Sequence, residues 1–321
     1  MREISYNDAI NEALSEEMSR DDAVFLMGEG VHSPAALVDR FGTERVRTTP
    51  ISENGFGGTA VGAAVVGLRP VVEFRNAAFL LSGFDQIVSN AAKLRYMSGG
   101  QLTIPVVFML SFSSGLRRGA QHSFNPLSWF ANCPGLKIVV PSTAYDAKGL
   151  LKTAIRDNNP VIYMRQGMVA TTRGEVPRKD YTIPFGSAEI RREGVDVTIL
   201  ATLNSVSMSL AVAEKLAKQG ISAEVVDPRS LVPLDKKKIL SSVEKTGRLV
   251  VVDESYETAG LASALAAIVA EEGFQYLKCP IKRVSTLDVP FPYSPPLEDY
   301  MLPTPEKITK AVRETFNTKS R

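Results

Sequence analysis

Cysteine and histidine are nearly missing from this chain of 321 residues, which carries two of each. Cys133 and Cys279 are too few and too distant for a disulfide framework or a thiolate metal cluster, and such sparing use favours a reducing compartment. His32 and His122 do not have metal-ligand spacing, which argues against a zinc site. No G-x-S-x-G elbow marks a hydrolase nucleophile. Neither sign of charge dominates: 37 Lys and Arg face 35 Asp and Glu, a formal net charge of +2, with the basic residues spread out. A nucleic-acid or membrane-surface role therefore has little electrostatic support. Long apolar runs are lacking as well. The best one, Thr59 to Leu68, ends at Arg69-Pro70, well short of a membrane span, and Met1-Arg2-Glu3-Ile4-Ser5-Tyr6 has no signal-peptide core. The expectation is a cytoplasmic protein, or its equivalent.

What is present is ordinary globular composition, 44% hydrophobic and 22% charged, in a chain long enough for two domains. The first half alternates helix and strand. Helical spacing over Ser5 to Ser19 precedes a strand at Ala23 to Gly28; further strands are expected at Val71 to Phe74, Pro105 to Leu110, Lys137 to Pro141 and Val161 to Met164. Helices are expected over Phe84 to Ser98 and Ala144 to Arg156. Between Met168 and Pro184 the sequence turns polar and irregular, as a linker would. The pattern then restarts with Val195 to Leu200, a helix from Ser207 to Lys218, Ala223 to Val226, a helix from Asp235 to Lys245 and Leu249 to Val252. A helix over Leu261 to Glu271, a strand at Ile281 to Val284, the proline-rich Val289 to Pro296 and a last helix near Pro305 to Phe316 complete it. The fold class expected is α/β, with two open, mostly parallel-sheet domains at 1–180 and 185–321.

Three places carry chemistry. In Pro50-Ile51-Ser52-Glu53-Asn54-Gly55-Phe56-Gly57-Gly58, one carboxylate stands at the mouth of a glycine-rich turn that opens an apolar helix. Apolar neighbours suit Glu53 to hydrogen bonding and proton exchange with a flat, weakly basic ring; capping the helix is the simpler role. The same residues contain Gly55-x-Gly57-x-x-Ala60, the dinucleotide fingerprint form, with Glu73 downstream, which keeps an NAD(P)-binding oxidoreductase open. Against it, the segment before Gly55 is polar and broken by proline, not a buried strand. His122 lies in a long polar loop after the third strand, where open α/β sheets build sites; it can relay a proton or donate to an oxyanion. His32 has no comparable setting and reads as structural or solvent-facing. In Ala154-Ile155-Arg156-Asp157-Asn158-Asn159-Pro160 a helix ends at a proline. Unpartnered carbonyls plus Asp157 and Asn159 offer either an oxygen cluster for a monovalent cation or an ordinary capped end.

Five blocks, Pro50-Ile51-Ser52-Glu53-Asn54-Gly55-Phe56, Phe84-Asp85-Gln86-Ile87 to Ala91-Ala92-Lys93, Ala120-Gln121-His122-Ser123, Cys133-Pro134-Gly135-Leu136-Lys137 and Ile155-Arg156-Asp157-Asn158-Asn159-Pro160, stand in an order that resembles the β subunit of thiamine-diphosphate-dependent 2-oxoacid dehydrogenase E1 components. That family includes pyruvate, branched-chain 2-oxoacid and acetoin dehydrogenases. The resemblance implies a pyrimidine-binding domain followed by a transketolase-type C-terminal domain. It implies that Glu53 bonds N1′ of the cofactor's aminopyrimidine and that Phe79 packs on this ring. His122 matches a histidine near the reacting carbon, implicated in handling substrate and the incoming lipoyl group. Val106, Ala154, Ile155, Asp157 and Asn159 match a potassium site built largely from backbone oxygens. The G-D-G…N pattern that holds Mg²⁺ and the diphosphate is missing here; in the family it belongs to the α subunit. The resemblance thus implies an α₂β₂ heterotetramer and a lipoyl-bearing E2 acyltransferase that receives the acyl group.

Some residues depart from the family. The segment after Gly28-Glu29-Gly30-Val31 is short, Phe124 follows Ser123 where glutamine is usual, and Leu116-Arg117-Arg118 replaces a small, neutral stretch. Two arginines near His122 suit an anionic or phosphorylated substrate, so the C-terminal subunit of a split, two-chain transketolase stays open. Surface charge or a subunit contact is the plainer role for both. A non-catalytic regulatory subunit is the remaining alternative. The identity of the 2-oxoacid is not legible.

Overall fold

The structure, a computed structural model, describes residues 1–31 and 35–317, so His32 lies outside the described residues. Contacts divide the chain into two units: Met1–Ser113 with Trp129–Phe185, and Ser114–Ser128 with Gly186–Arg321. In chain order the elements up to residue 176 are β1 (Arg2–Ser5), α1 (Tyr6–Arg20), β2 (Val24–Gly28), α2 (Ala35–Phe41), β3 (Val46–Thr48), α3 (Glu53–Val65), β4 (Arg69–Glu73), α4 (Ala92–Met97), β5 (Val107–Phe112), α5 (Ala120–Ser123), α6 (Leu127–Ala131), β6 (Lys137–Val139), α7 (Ala144–Arg156), β7 (Val161–Gln166) and β8 (Arg173–Val176). They are followed by β9 (Glu189–Arg192), β10 (Val197–Ala201), α8 (Asn204–Ala217), β11 (Ala223–Asp227), β12 (Ser230–Val232), α9 (Lys236–Thr246), β13 (Leu249–Tyr256), α10 (Leu261–Glu272), β14 (Lys282–Thr286), α11 (Pro295–Met301) and α12 (Pro305–Glu314).

In the first unit β6, β7, β5, β4, β2 and β3 lie side by side, each pair parallel. The central strands are continuous apolar runs because helices cover both faces of a parallel sheet; all five residues of β2 are buried. The Ser5 hydroxyl caps α1 by accepting from Asp8 N at 3.1 Å, and Thr143 caps α7 in the same way on Asp146 N. Tyr6, Ile10, Leu14 and Met18 of α1 join Leu150, Leu151 and Ile155 of α7 in one buried cluster with Val24, Leu26, Val107 and Tyr163 of the sheet. Beside that cluster the two helices bury charge. Lys148 and Lys152 are almost wholly enclosed and pair with Glu12, Glu16 and Asp180, while Arg156 holds the fully buried Glu17 at 2.6 Å.

Two local expectations change. The stretch Met168 to Pro184 is not irregular throughout, since β8 pairs antiparallel with β1, Arg2 opposite Val176. Two strands of four residues, paired only with each other, carry too little periodicity to announce themselves. The helix expected over Phe84 to Ser98 starts as a π-helical turn, Gln86–Ala91, and only then becomes α4.

The second unit carries a sheet in the order β14, β13, β10, β11, β9, parallel except where β9 meets β11. Ile199, Val225 and Val250 form its centre, with Val212 and Leu216 of α8 and Ile308 and Val312 of α12 against them. The proline-rich Val289 to Pro296 runs into α11, because Pro295 and Pro296 occupy the first positions of that helix after Ser294. Proline suits this place, where its missing N–H would have had no partner. Phe291, Met301 and Leu302 form a small separate core there.

Candidate active site

Glu53 is the first residue of α3, two residues before the glycines rather than behind them. Its side chain makes no hydrogen bond or ion pair among the described residues, yet the residue is only 9% exposed. The residue as a whole is buried while its carboxylate oxygens stay within reach of solvent, so the group is open to a ligand. Space is made from the other side by Gly83, where an added Cβ would stand 3.0 Å from the Glu53 carbonyl oxygen. The turn Phe79–Leu81 leads straight into Gly83, whose N–H bonds Leu80 O at 3.0 Å. Glu53 and the half-buried Phe79 therefore share one corner of the first unit. Gln86, at the head of the π-helical turn, donates to Asn54 Oδ1 at 2.8 Å and ties that turn to the start of α3. Phe56 and Phe74 pack behind it with tilted rings, centres 4.9 Å apart.

This geometry removes the dinucleotide reading. Gly55, Gly57 and Ala60 lie inside α3, which is already closed by the bond from Phe56 N to Ser52 O at 2.9 Å. The fingerprint needs its glycines in a turn ahead of the helix, where backbone N–H groups are free for phosphate. Here the small residues serve helix packing: an added Cβ at Gly58 would meet Gln86 Oε1 at 3.1 Å.

His122 belongs to the second unit, in the single turn α5. Its N–H reaches Gly119 O at 3.4 Å. Upstream, Ser114 donates its hydroxyl to Glu254 and the N–H of Gly115 bonds Glu298 Oε1 at 2.9 Å. Arg117 is not free to meet a substrate. It donates to Glu298 Oε2 at 2.8 Å and to Asp299 Oδ1 at 2.6 Å, and bonds with those carboxylates raise its guanidinium above the ordinary value. Arg118 is exposed and has no partner among the described residues. The two arginines read together in the sequence thus separate into a structural one and a displayed one. Glu298, fully buried on α11, was missed by sequence reasoning. The signal that could have found its helix is Ser294-Pro295-Pro296, a cap followed by prolines.

Val106, Ala154, Ile155, Asp157 and Asn159 converge where α7 ends. Val161 N bonds Val106 O at 2.9 Å and Asp157 N bonds Ala154 O at 3.3 Å. Arg69 donates to Ile155 O at 3.0 Å and Asp157 O at 3.1 Å, while Asn159 and Lys137 hold the Asp157 carboxylate. Although burial opposes it, those contacts leave the Asp157 carboxyl below its ordinary range. Each carbonyl keeps a second lone pair, while the Arg69 guanidinium and the Lys137 ammonium already neutralise the oxygens of Ile155 and Asp157.

Residues 2–168 match the family described as transketolase, pyrimidine binding domain, and residues 186–308 the transketolase C-terminal domain. The β subunit of acetoin:2,6-dichlorophenolindophenol oxidoreductase from Bacillus subtilis (strain 168) is 45% identical over 332 residues, covering 98% of this chain and 97% of that one. The 2-oxoisovalerate dehydrogenase β subunit of the same organism is 42% identical, covering 98% and 99%, and the pyruvate dehydrogenase E1 β subunit of Rickettsia felis (strain ATCC VR-1525 / URRWXCal2) is 44% identical, covering 97% and 98%. This chain belongs to the E1 β-subunit family of thiamine-diphosphate-dependent 2-oxoacid dehydrogenases. A solved split-gene transketolase, described as an inactive β4 tetramer, superposes with a TM-score of 0.82 at 24% identity over 97% of this chain and 98% of its own, a likeness of fold. For an E1 β subunit the unpartnered carboxylate of Glu53 fits a cofactor that presents a ring nitrogen, with Phe79 supplying an aromatic face nearby. Among the described residues no helix is long and apolar enough to cross a membrane.

Proposed function

We propose that this chain is the β half of an E1 enzyme that decarboxylates a small 2-oxoacid and reductively acylates a lipoyl group on an E2 acyltransferase. The single observation that carries this reading is Glu53, nine-tenths enclosed and without a partner among the described residues at the opening of α3. Thiamine diphosphate, when bound, supplies the carbanion chemistry. In this reading Glu53 holds a proton at N1′ of the pyrimidine, and its enclosure strengthens that bond by keeping water out. Phe79 packs on the ring and orients it. His122 holds or delivers a proton at the substrate and receives the lipoyl arm. Mg²⁺ and the diphosphate would be gripped by an α chain, so the working unit is an α₂β₂ heterotetramer. The carbonyls of Val106, Ala154 and Ile155, with Asp157 and Asn159, would hold K⁺ as a structural ion that braces the end of α7. Sparing use of cysteine supports work in a reducing compartment, the cytoplasm or its equivalent.

A split two-chain transketolase is the second reading, favoured by Arg118, displayed near His122 with no partner among the described residues. Co-expression with an α chain separates the two. The expected result is thiamine diphosphate retained by the pair and not by this chain alone, with turnover of pyruvate, branched-chain 2-oxoacids or acetoin and none of sugar phosphates. Turnover of sugar phosphates alone would establish ketol transfer instead. Assembly with an α chain that survives Glu53→Gln at full turnover would reduce this chain to a regulatory subunit.

A further inference from the structure

We infer that Glu298 and Arg117 form a clasp that fixes the backbone from Ser114 to Gly119 and thereby sets the place of His122; both are positioning residues, and their catalytic consequence rests on the reading of His122 given above. The segment is conformationally demanding. Gly115, Arg117 and Gly119 all take left-handed backbone angles, φ 80°, 60° and 72°. Glycine adopts them freely, whereas an arginine there costs roughly 1–2 kcal/mol and persists only if its surroundings hold it.

Glu298 is what holds it. One carboxylate oxygen accepts from Gly115 N at 2.9 Å, and the other accepts from Arg117 N at 3.1 Å and from the Arg117 guanidinium at 2.8 Å. The Glu298 side chain is fully buried, and Arg117 is its one ion-pair partner among the described residues. Neither group can be removed without stranding charge or donors. Asp299 takes the outer edge of the same guanidinium at 2.6 Å, so the fork is used on both sides. At one end of the segment Ser114 is tied to Glu254, whose backbone oxygen accepts from Thr286 at 2.8 Å. At the other end Gly119 starts α5, and a Cβ added to it would stand 3.7 Å from the Tyr293 ring. Three residues later comes His122. Displacing a reacting group by about 1 Å costs on the order of 100-fold in rate.

The test uses the complete complex with its α chain. Glu298→Gln removes the charge. Arg117→Gly keeps the left-handed backbone available while removing the side chain that bears the guanidinium, which guards against a variant that does not fold. Amide exchange across residues 114–123 should accelerate in both, by about tenfold or more for Glu298→Gln. Turnover should fall roughly 10- to 100-fold in the native background but less than about twofold when His122→Ala is already present, with KM for thiamine diphosphate unchanged. Unchanged exchange in both variants overturns the clasp whatever the activity. Equal losses in the two backgrounds overturn its action through His122. Full turnover of His122→Ala alone removes the catalytic consequence at its source, while the exchange data still judge the clasp.

Discussion

Glu53→Gln should move stability and activity in opposite directions. The residue is 9% exposed and meets no donor among the described residues, so without cofactor its charge is only partly hydrated and has no counter-charge. The amide has the same shape and removes that charge, which should stabilise the cofactor-free complex by about 1 kcal/mol. For units of this size that corresponds to a rise of about 2–4 °C in the melting midpoint. With thiamine diphosphate the balance reverses, because an amide cannot give the ring nitrogen the charged partner it needs. Losing a preorganised electrostatic contact of this kind costs about 100- to 1000-fold in turnover. The assay is a thermal melt of the heterotetramer at fixed protein concentration, with and without cofactor, alongside 2-oxoacid turnover. The expected pattern is a higher midpoint without cofactor, a smaller cofactor-induced rise and near-absent turnover. A cofactor-free midpoint lowered by more than about 3 °C would mean that Glu53 is paired in a way this reasoning does not contain. Turnover close to that of the unaltered enzyme would refute the reasoning outright.

Lys152→Met should destabilise the first unit by about 1–3 kcal/mol in a denaturant titration, since it takes a cation from Glu16 and from the fully buried Glu17, which Lys148 and Arg156 replace only partly, while the exposed Asp180 turns to water. A change below about 0.5 kcal/mol would show the network to be dispensable. The same network sets an acid limb. A hydrogen bond from Lys152 holds the Asp180 carboxyl below its ordinary range, and for Glu16 the bonds from Lys148 and Lys152 outweigh the opposing effect of burial. Depressed carboxyl values mean stability that is present above the unfolded range and lost on acidification, so the melting midpoint should decline as pH falls below about 4.5. Lys152→Met should flatten that decline, and an unaltered slope would assign it elsewhere. Replacing K⁺ by choline should lower the midpoint of the intact complex in a concentration-dependent way. No difference between the two cations at equal ionic strength would reduce the Asp157 cluster to a capped helix end.

The central strands of the two sheets were legible because parallel strands buried on both faces read as unbroken apolar runs, as Val24 to Gly28 and Leu249 to Val252 do. Helix α1 announced itself through the spacing of its apolar residues. Strands β1, β3, β8, β9 and β12 were not legible, being short and dependent on partners elsewhere in the chain. Helix α11 was hidden because prolines 295 and 296 look like a breaker unless their place at a helix start is recognised. At the site, Glu53 could be picked out by its setting of glycines and apolar residues. Phe79 stood out only through family resemblance, for an aromatic in Ala77-Ala78-Phe79-Leu80 passes as core. Glu298 could not be read at all. Its role depends on a loop more than 180 positions away in sequence, reaching it at Gly115 and Arg117.

Because the stretch from Ser114 to Ser128 groups with the residues after 185 and not with its own neighbours in sequence, the chain has no single cut that separates its two units. Recombination between relatives at residue 185 would splice one parent's His122 turn onto another parent's α11. Hybrids joined there should inherit mismatched halves of the same device, whereas exchanging 114–128 together with 186–321 transfers it whole. Any exchange in this lineage that keeps the device intact moves those two stretches as one inherited block.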